Sequence, residues 1–187
     1  RKICKRTVVV WPEESHTQEA VCKAVHDGFI EPILVCSKQT MEDYAKKNAF
    51  QCIIAESPED AARKAVELIR RGEADIVMKG FLNTDVLLRA ILDKEVGILP
   101  KDTVLTHITV AKLPEYPKLL FFTDAAVIPA PNDKQRRAQV QYIVDFCHAF
   151  EIECPKIALI HCSEKVDERH FPYTASYRAL KAESETG

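Results

Sequence analysis

Four short apolar runs, each followed by a polar joint and a helix-period stretch, constrain this chain more than any other feature. Thr7 to Trp11, Pro32 to Cys36, Cys52 to Ala55 and Asp75 to Met78 are too short for buried helices and rich in β-branched residues, so they read as strands. Between them, apolar residues recur three and four apart. Ala20, Val21, Ala24 and Val25 run up to Gly28, a short helix spans Met41 to Asn48, and Ala61, Ala65, Leu68 and Ile69 run up to Gly72. The third helix is announced by Ser57-Pro58-Glu59-Asp60: a serine N-cap, proline at the first helical position and an acid at the third. Such alternation predicts a doubly wound, mostly parallel α/β sheet covered on both faces. Crossovers are then right-handed, and ligands sit beyond the strand C-termini.

After Leu92 the alternation loosens. Val104 to Val110 and Lys118 to Thr123 are successive strand-like runs separated by a loop containing Pro114 and Pro117, which favours antiparallel pairing. Asn132 or Asp133 caps a long helix burying Val140, Ile143, Val144, Cys147 and Phe150. Ile157 to Ile160 reads as a further buried strand, and Thr174 to Glu183 as a helix.

With 26 basic and 28 acidic side chains the net charge is −2, which calls for neither nucleic acid nor an anionic membrane as partner. No apolar run approaches the ~20 residues that span a bilayer, and the opening Arg1-Lys2-Ile3-Cys4 has no signal-like apolar core. The seven cysteines are odd in number and lack C-x-x-C spacing. They read as small buried hydrophobes in a reducing cytoplasm. The six histidines have no ligand spacing, so no metal is expected.

The joint after the fourth run carries the sharpest chemical signal. In Gly72-Glu73-Ala74-Asp75-Ile76-Val77-Met78-Lys79-Gly80-Phe81-Leu82-Asn83-Thr84, Gly72 closes a helix, Lys79-Gly80 ends a strand in a tight turn, and Asn83 or Thr84 caps the next helix. One reading makes these an ordinary turn, cap and solvated lysine. The other makes them an anion cradle, because a helix N-terminus offers free N–H groups and the positive end of its dipole, with Lys79 and the Thr84 hydroxyl beside it. Neither the G-x-x-x-x-G-K-[ST] nor the G-x-G-x-x-G order occurs, so local spacing leaves both readings open.

This motif resembles the phosphate acetyltransferase and phosphate butyryltransferase family, most closely its butyryl branch. So do, in the family's order, the opening Val8-Val9-Val10-Trp11, the passage Gly28 to Val35, Thr106-His107, Thr123-Asp124-Ala125-Ala126, Pro155 to Leu159, and Ser163-Glu164-Lys165-Val166 with Thr174 downstream. The resemblance implies an isocitrate/isopropylmalate dehydrogenase-like fold, a homodimer, and transfer of a butanoyl or acetyl group between coenzyme A and inorganic phosphate. Both are small-molecule substrates, and no permanently bound cofactor is implied. Lys79, Gly80, Asn83 and Thr84 would cradle phosphate, and His107, Asp124, Ser163 and Glu164 would serve catalysis. A satisfied strand histidine remains the competing reading for His107, and cap-and-turn roles for Asp124 and Glu164. By the same resemblance the chain is the family's N-terminal part. Residues about 1–150 would form the first α/β domain and about 151–187 the start of the second, with the C-terminal portion of the fold missing. The alternative function is then a non-catalytic phosphate- or coenzyme A-binding fragment. A nicotinamide-dependent dehydrogenase is set aside, since the metal-binding aspartates of such enzymes have no counterpart here.

Overall fold

The computed structural model describes residues 4–186. The segment Arg1–Ile3, part of the opening read as lacking a signal-like core, and the final Gly187 lie outside them. The chain divides into two compact units, Arg1–Pro100 and Lys101–Gly187. The sequence places the division about fifty residues later, near residue 150. The unit boundary instead follows the change from a parallel to an antiparallel sheet, because strand pairing gathers contacts within each sheet.

The first unit is the alternating one. Strands β1 (Lys5–Val10), β2 (Ile30–Cys36), β3 (Gln51–Ile54) and β4 (Ile76–Lys79) form a fully parallel sheet in the order β3-β2-β1-β4. Helix α1 (Ser15–His26) follows β1, and α2 (Lys38–Thr40) runs on after β2 into a π-helical turn over Met41–Ala45. Helix α3 (Pro58–Arg70) follows β3, and α4 (Thr84–Ile91) follows β4. Val8, Val9, Val10, Leu34 and Val35 have no exposed surface. Successive residues of a strand point to opposite faces, so Val8 and Val10 pack with Ala61, Ala65 and Leu87 while Val9 packs with Val21 and Tyr44. Burying each such aliphatic side chain stabilises the unit by roughly 1.5–3 kcal/mol before chain entropy is counted.

The punctuation seen in the sequence works as expected on α3. The Ser57 hydroxyl oxygen accepts from the Asp60 N–H at 3.2 Å, and the Asp60 carboxylate accepts from the Glu56 N–H at 3.2 Å. At the far end Gly72 takes φ +68°, and the Glu73 N–H donates to the Leu68 carbonyl at 2.9 Å. The sheet is locked at its opposite edge by Asp75. Its Oδ1 accepts from the Arg6 guanidinium at 2.8 Å, and its Oδ2 from the Arg6 backbone N–H at 3.1 Å. The side-chain and backbone bonds from Arg6 both hold this carboxyl below its usual range, against a small opposing effect of desolvation.

The second unit contains the antiparallel pair β5 (Thr109–Lys112) and β6 (Leu119–Phe122), the long helix α5 (Asp133–Ala149), a 3-10 turn at Pro172–Thr174 and helix α6 (Ala175–Thr186). Asn132 is the cap of α5. Its side chain accepts from the Gln135 N–H at 2.9 Å, and the Gln135 side chain accepts from the Asn132 N–H at 2.9 Å. Two expected strands differ. The run from Val104 begins pairing only at Thr109; the His107 N–H, which a strand would offer to a ladder, goes to Asp124 instead, and the Thr106 hydroxyl joins it there. Ile157 to Ile160 is not a buried strand: Ile157 is 43% and Ile160 83% exposed, and no ladder partner reaches them among the described residues. An apolar run of four residues forms a strand only where a neighbour pairs with it.

No helix among the described residues is long and apolar enough to cross a membrane. Of the seven cysteines, Cys36 and Cys147 are buried, Cys22 and Cys52 are half-buried, and Cys4, Cys154 and Cys162 are exposed, which corrects the expectation of a uniformly buried set. Ser57→Ala is expected to lower the stability of the first unit by about 1 kcal/mol, read as a lower urea midpoint at unchanged slope.

Candidate functional site

The strand order places a topological switch point between β1 and β4. From β1 the chain adds β2 and then β3 on one side, then returns to add β4 on the other, and the crevice outside the strand C-termini at such a reversal is where open α/β sheets take ligands. The Lys79–Thr84 joint lies there. Its turn is laced to the end of β1: the Gly80 N–H donates to the Val10 carbonyl at 2.9 Å and the Phe81 N–H to the Trp11 carbonyl at 2.8 Å. A Cβ on Gly80 would stand 2.6 Å from the Val10 oxygen and 2.7 Å from the Trp11 oxygen, so only glycine lets the two strand ends approach this closely.

The Lys79 ammonium turns back over the same loop, donating to the Leu82 carbonyl at 2.9 Å and the Gly80 carbonyl at 3.3 Å. Two of its three donors are thus spent on the turn, and one is left for another acceptor. Asn83 is the N-cap residue of α4 but makes no side-chain capping bond, and Thr84 is the first helical residue. Both side chains are exposed. The alternatives left by the sequence therefore resolve into a different division of labour, in which Asn83 holds the cap position with its side chain turned to solvent. By helix geometry the first N–H groups of α4 point out of the turn without intrahelical partners.

Two neighbours take roles that the sequence does not reveal. Glu13 ties the β1 and β2 joints together, its Oε1 accepting from the Ser37 N–H at 2.8 Å and its Oε2 from the Ser37 hydroxyl at 2.7 Å and the Thr40 hydroxyl at 2.6 Å. Trp11 sits at φ +58°, an unusual conformation for a bulky residue, with its N–H donating to the Val35 carbonyl at 2.8 Å. Neither has a local signature, since each depends on strands adjacent only in the folded sheet.

In the second unit the organising group is Asp124. Its Oδ1 accepts from the Ala126 and Val127 N–H groups, both at 2.8 Å. Its Oδ2 accepts from the Thr106 hydroxyl at 2.7 Å and from the His107 and Ile128 N–H groups at 3.2 Å each. Desolvation pushes this carboxyl up, but the Ala126 and Val127 N–H groups, the Thr106 hydroxyl and the His107 N–H together outweigh it and hold it at about 2. A carboxylate so saturated is a poor proton carrier near neutrality and a strong structural anchor.

Asp124 thus holds the backbone of His107, whose ring Nδ1 lies 3.3 Å from the Thr109 hydroxyl. The hydroxyls of Thr106 and Thr123 meet at 3.2 Å beside it. Ser163 and Glu164 lie elsewhere in this unit, on an exposed loop where the Ser163 hydroxyl oxygen accepts from the Lys165 N–H at 3.3 Å. The structure therefore brings His107 and Asp124 together and leaves Ser163 and Glu164 on a separate surface loop. Lys79, Gly80, Asn83 and Thr84 form one continuous turn in the first unit.

With these arrangements in view, similarity to known proteins is informative. The family model described as phosphate acetyl/butaryl transferase matches residues 38–182. A phosphate butyryltransferase from Clostridium acetobutylicum is 35% identical over 191 residues, covering 100% of this chain and 63% of that protein. A phosphate acetyltransferase from Rickettsia typhi is 31% identical over 188 residues, covering 97% of this chain and 53% of that protein. The crystal structure of a branched-chain phosphotransacylase from Enterococcus faecalis V583 superposes with a TM-score of 0.82 at 23% identity, covering 97% of this chain and 65% of that one. The chain thus spans about 63% of the length of the Clostridium relative.

Two expectations are corrected by these matches. Where the motifs imply a resemblance to the family's N-terminal part alone, the similarity runs along 97–100% of this chain. The fold is that of the phosphotransacylases, in place of the isocitrate/isopropylmalate dehydrogenase-like fold, and its larger part is present, 65% of the Enterococcus chain being covered. Alternating strands and helices are common to many doubly wound folds and cannot choose among them.

Gly80→Ala is expected to destabilise the first unit by about 1–3 kcal/mol through forced separation of the β1 and β4 ends, measurable by chemical unfolding. Asp124, with its folded value depressed, contributes stability that is complete above the unfolded value of about 3.9 and is lost as pH falls through about 2. Melting of the second unit followed from pH 5 to pH 2 should fall across that window, and Asp124→Asn should flatten the fall while lowering the melting temperature at pH 7.

Proposed function

We propose, since this chain belongs to the phosphate acetyl/butaryl transferase family, that it moves a short acyl group, butanoyl or acetyl, between coenzyme A and inorganic phosphate. The observation that carries this reading is the laced Lys79–Thr84 turn at the switch point between β1 and β4. An oxygen of phosphate attacks the thioester carbonyl, the new C–O bond forms, the C–S bond breaks, and the thiolate leaves to be protonated. The phosphate needs a rigid, positively polarised cradle that holds it in line, which is largely a matter of positioning. The remaining Lys79 donor, the Gly80 turn, the exposed Asn83 and Thr84 side chains and the N–H groups opening α4 suit that task.

In the second unit the reading assigns proton handling at the thiol to the His107 imidazole. Asp124 stays ionised and acts by fixing the backbone on which His107 is carried. Ser163 and Glu164, on their exposed loop, belong to the same catalytic assignment. We further read the chain as a homodimer. Leu119, Leu120 and Phe122 on the edge pair β5–β6 are exposed, and an apolar strand edge of this kind invites cover. Free thiols on the surface at Cys4, Cys154 and Cys162 suit a reducing cytoplasm.

The test is release of free thiol from butanoyl-CoA, and from acetyl-CoA beside it, in the presence of phosphate. Phosphate-dependent thiol release with formation of an acyl phosphate is expected, and phosphate-independent release or none would overturn the reading. Lys79→Ala should weaken phosphate by about 1–3 kcal/mol, seen as a raised KM for phosphate with that for the acyl-CoA little changed.

A further inference from the structure

The outer face of α3 carries charges that the switch-point site does not use. Glu59, Arg63, Glu67 and Arg70 recur at helical spacing along one stripe, while Ala61, Ala62, Ala65 and Leu68 fill the buried side. The signs alternate along the stripe. A helix face that has only to stay solvated satisfies such charges along its own length, and α3 does so for most of them. Arg63 and Lys64 pair with Asp60, and Arg71 pairs with Glu67. Glu59 and Arg70 stand outside that arrangement. Among the described residues neither side chain makes a hydrogen bond or an ion pair. Arg70 meets only the field of Asp93, whose Oδ1 is already spent on the Glu95 and Val96 N–H groups at 2.8 Å each.

Beside the stripe, α3 and α4 leave a trough of about 470 Å³ with Val66, Val86, Ala90 and Val96 along its floor. Val96 is 48% exposed. On the α4 side Arg89 is paired with Asp85 at 3.1 Å. The two unspent charges thus bracket an apolar strip, with Glu59 at the start of α3 and Arg70 at its end, eleven residues and about 16 Å apart at 1.5 Å per residue.

We propose that this face of α3 and α4 docks a second copy of the chain across a two-fold axis. Such an axis sets α3 antiparallel to its counterpart, and every contact is reciprocal. A stripe can pair with its own copy in this way only if its signs invert about its middle. That of α3 does. Glu59 and Arg70 lie equally far from the centre of the stripe, and Arg63 and Glu67 flank nearly the same point. Glu59 therefore meets the partner's Arg70, and Arg63 meets the partner's Glu67, each contact made twice. A stripe of one sign, or with like signs at both ends, would be repelled by its copy. The apolar trough supplies the centre of the contact and the charges its rim. The exposed partners of Arg63 and Glu67 within α3 are held weakly enough to be exchanged. This contact goes beyond the cover of the β5–β6 edge, which belongs to the second unit.

The test is the mass of the 187-residue chain in solution, followed by sedimentation equilibrium over a range of concentrations. Arg70→Glu and Glu59→Arg should each weaken self-association roughly tenfold, because one reversal acts twice across the axis. The double variant should return to the wild-type value, since it only exchanges the partners of each pair. Melting temperatures should not move, both side chains being exposed. Leu120→Lys, on the exposed β6 edge, should leave the effect of Arg70→Glu in place. A wild-type chain that stays monomeric, single reversals that leave association unchanged, or a double variant as weak as the singles would each overturn the proposal. Association lost in Leu120→Lys but untouched by Arg70→Glu would overturn it too, and assign the contact to the β5–β6 edge.

Discussion

The first unit depends on how closely the C-terminal ends of β1 and β4 approach. Two backbone hydrogen bonds, from Gly80 to Val10 and from Phe81 to Trp11, continue the parallel ladder past the last strand residue. They require that nothing but hydrogen project from the α-carbon of Gly80. Because β4 is, among the described residues, the only strand on its side of β1, that contact is what keeps the switch-point crevice formed. The Lys79 ammonium, the start of α4 and the outward ring of Phe81 are all positioned by it. The Arg6–Asp75 pair performs the matching task at the other end of the same two strands. β4 is thereby held at both ends although it contributes only four residues.

The second unit is organised by one saturated carboxylate. Asp124 collects five donors from two stretches of chain, Thr106 to His107 and its own turn through Ile128. A side chain at this position that could accept fewer bonds would release the half-buried His107 and Ile128 N–H groups and the Thr106 hydroxyl from their common acceptor. The arrangement explains why β5 starts late. The His107 N–H that a strand would present to a neighbour is spent on Asp124, and pairing starts only at Thr109.

How much of this was legible in the sequence depended on the range of the interaction involved. The Ser57 cap, the Gly72 stop and the cap at Asn132 or Asp133 depend on residues a few positions apart and are legible in the sequence, while the return bond from Gln135 that completes a capping box at Asn132 is not. Ile157 to Ile160 was misread because its apolarity is compatible with a strand, while strand formation depends on a partner elsewhere. For the site, Lys79, Gly80 and Thr84 were recognisable as a joint, but not that Lys79 spends two donors on its own turn or that Asn83 leaves its side chain outside the cap. Trp11 and Phe81 stand in the motifs that carry the family resemblance, but what they and Glu13 hold together comes from strands that are distant in sequence.

Sequence alone determined the alternation of strand and helix, the positions of the caps, and the presence of a glycine turn between a buried strand and a helix N-terminus. Those features arise from interactions spanning a few residues, where side-chain period and backbone preference act directly. The tertiary structure decided the strand order β3-β2-β1-β4, and hence which joint lies at the switch point. It also decided that Asp124 is an anchor held at about 2 in place of a proton carrier, and that Phe81 faces water from a rigid mount. Each of these results from groups tens of residues apart being packed to hydrogen-bonding distance, and no local pattern encodes which of the compatible partners will meet.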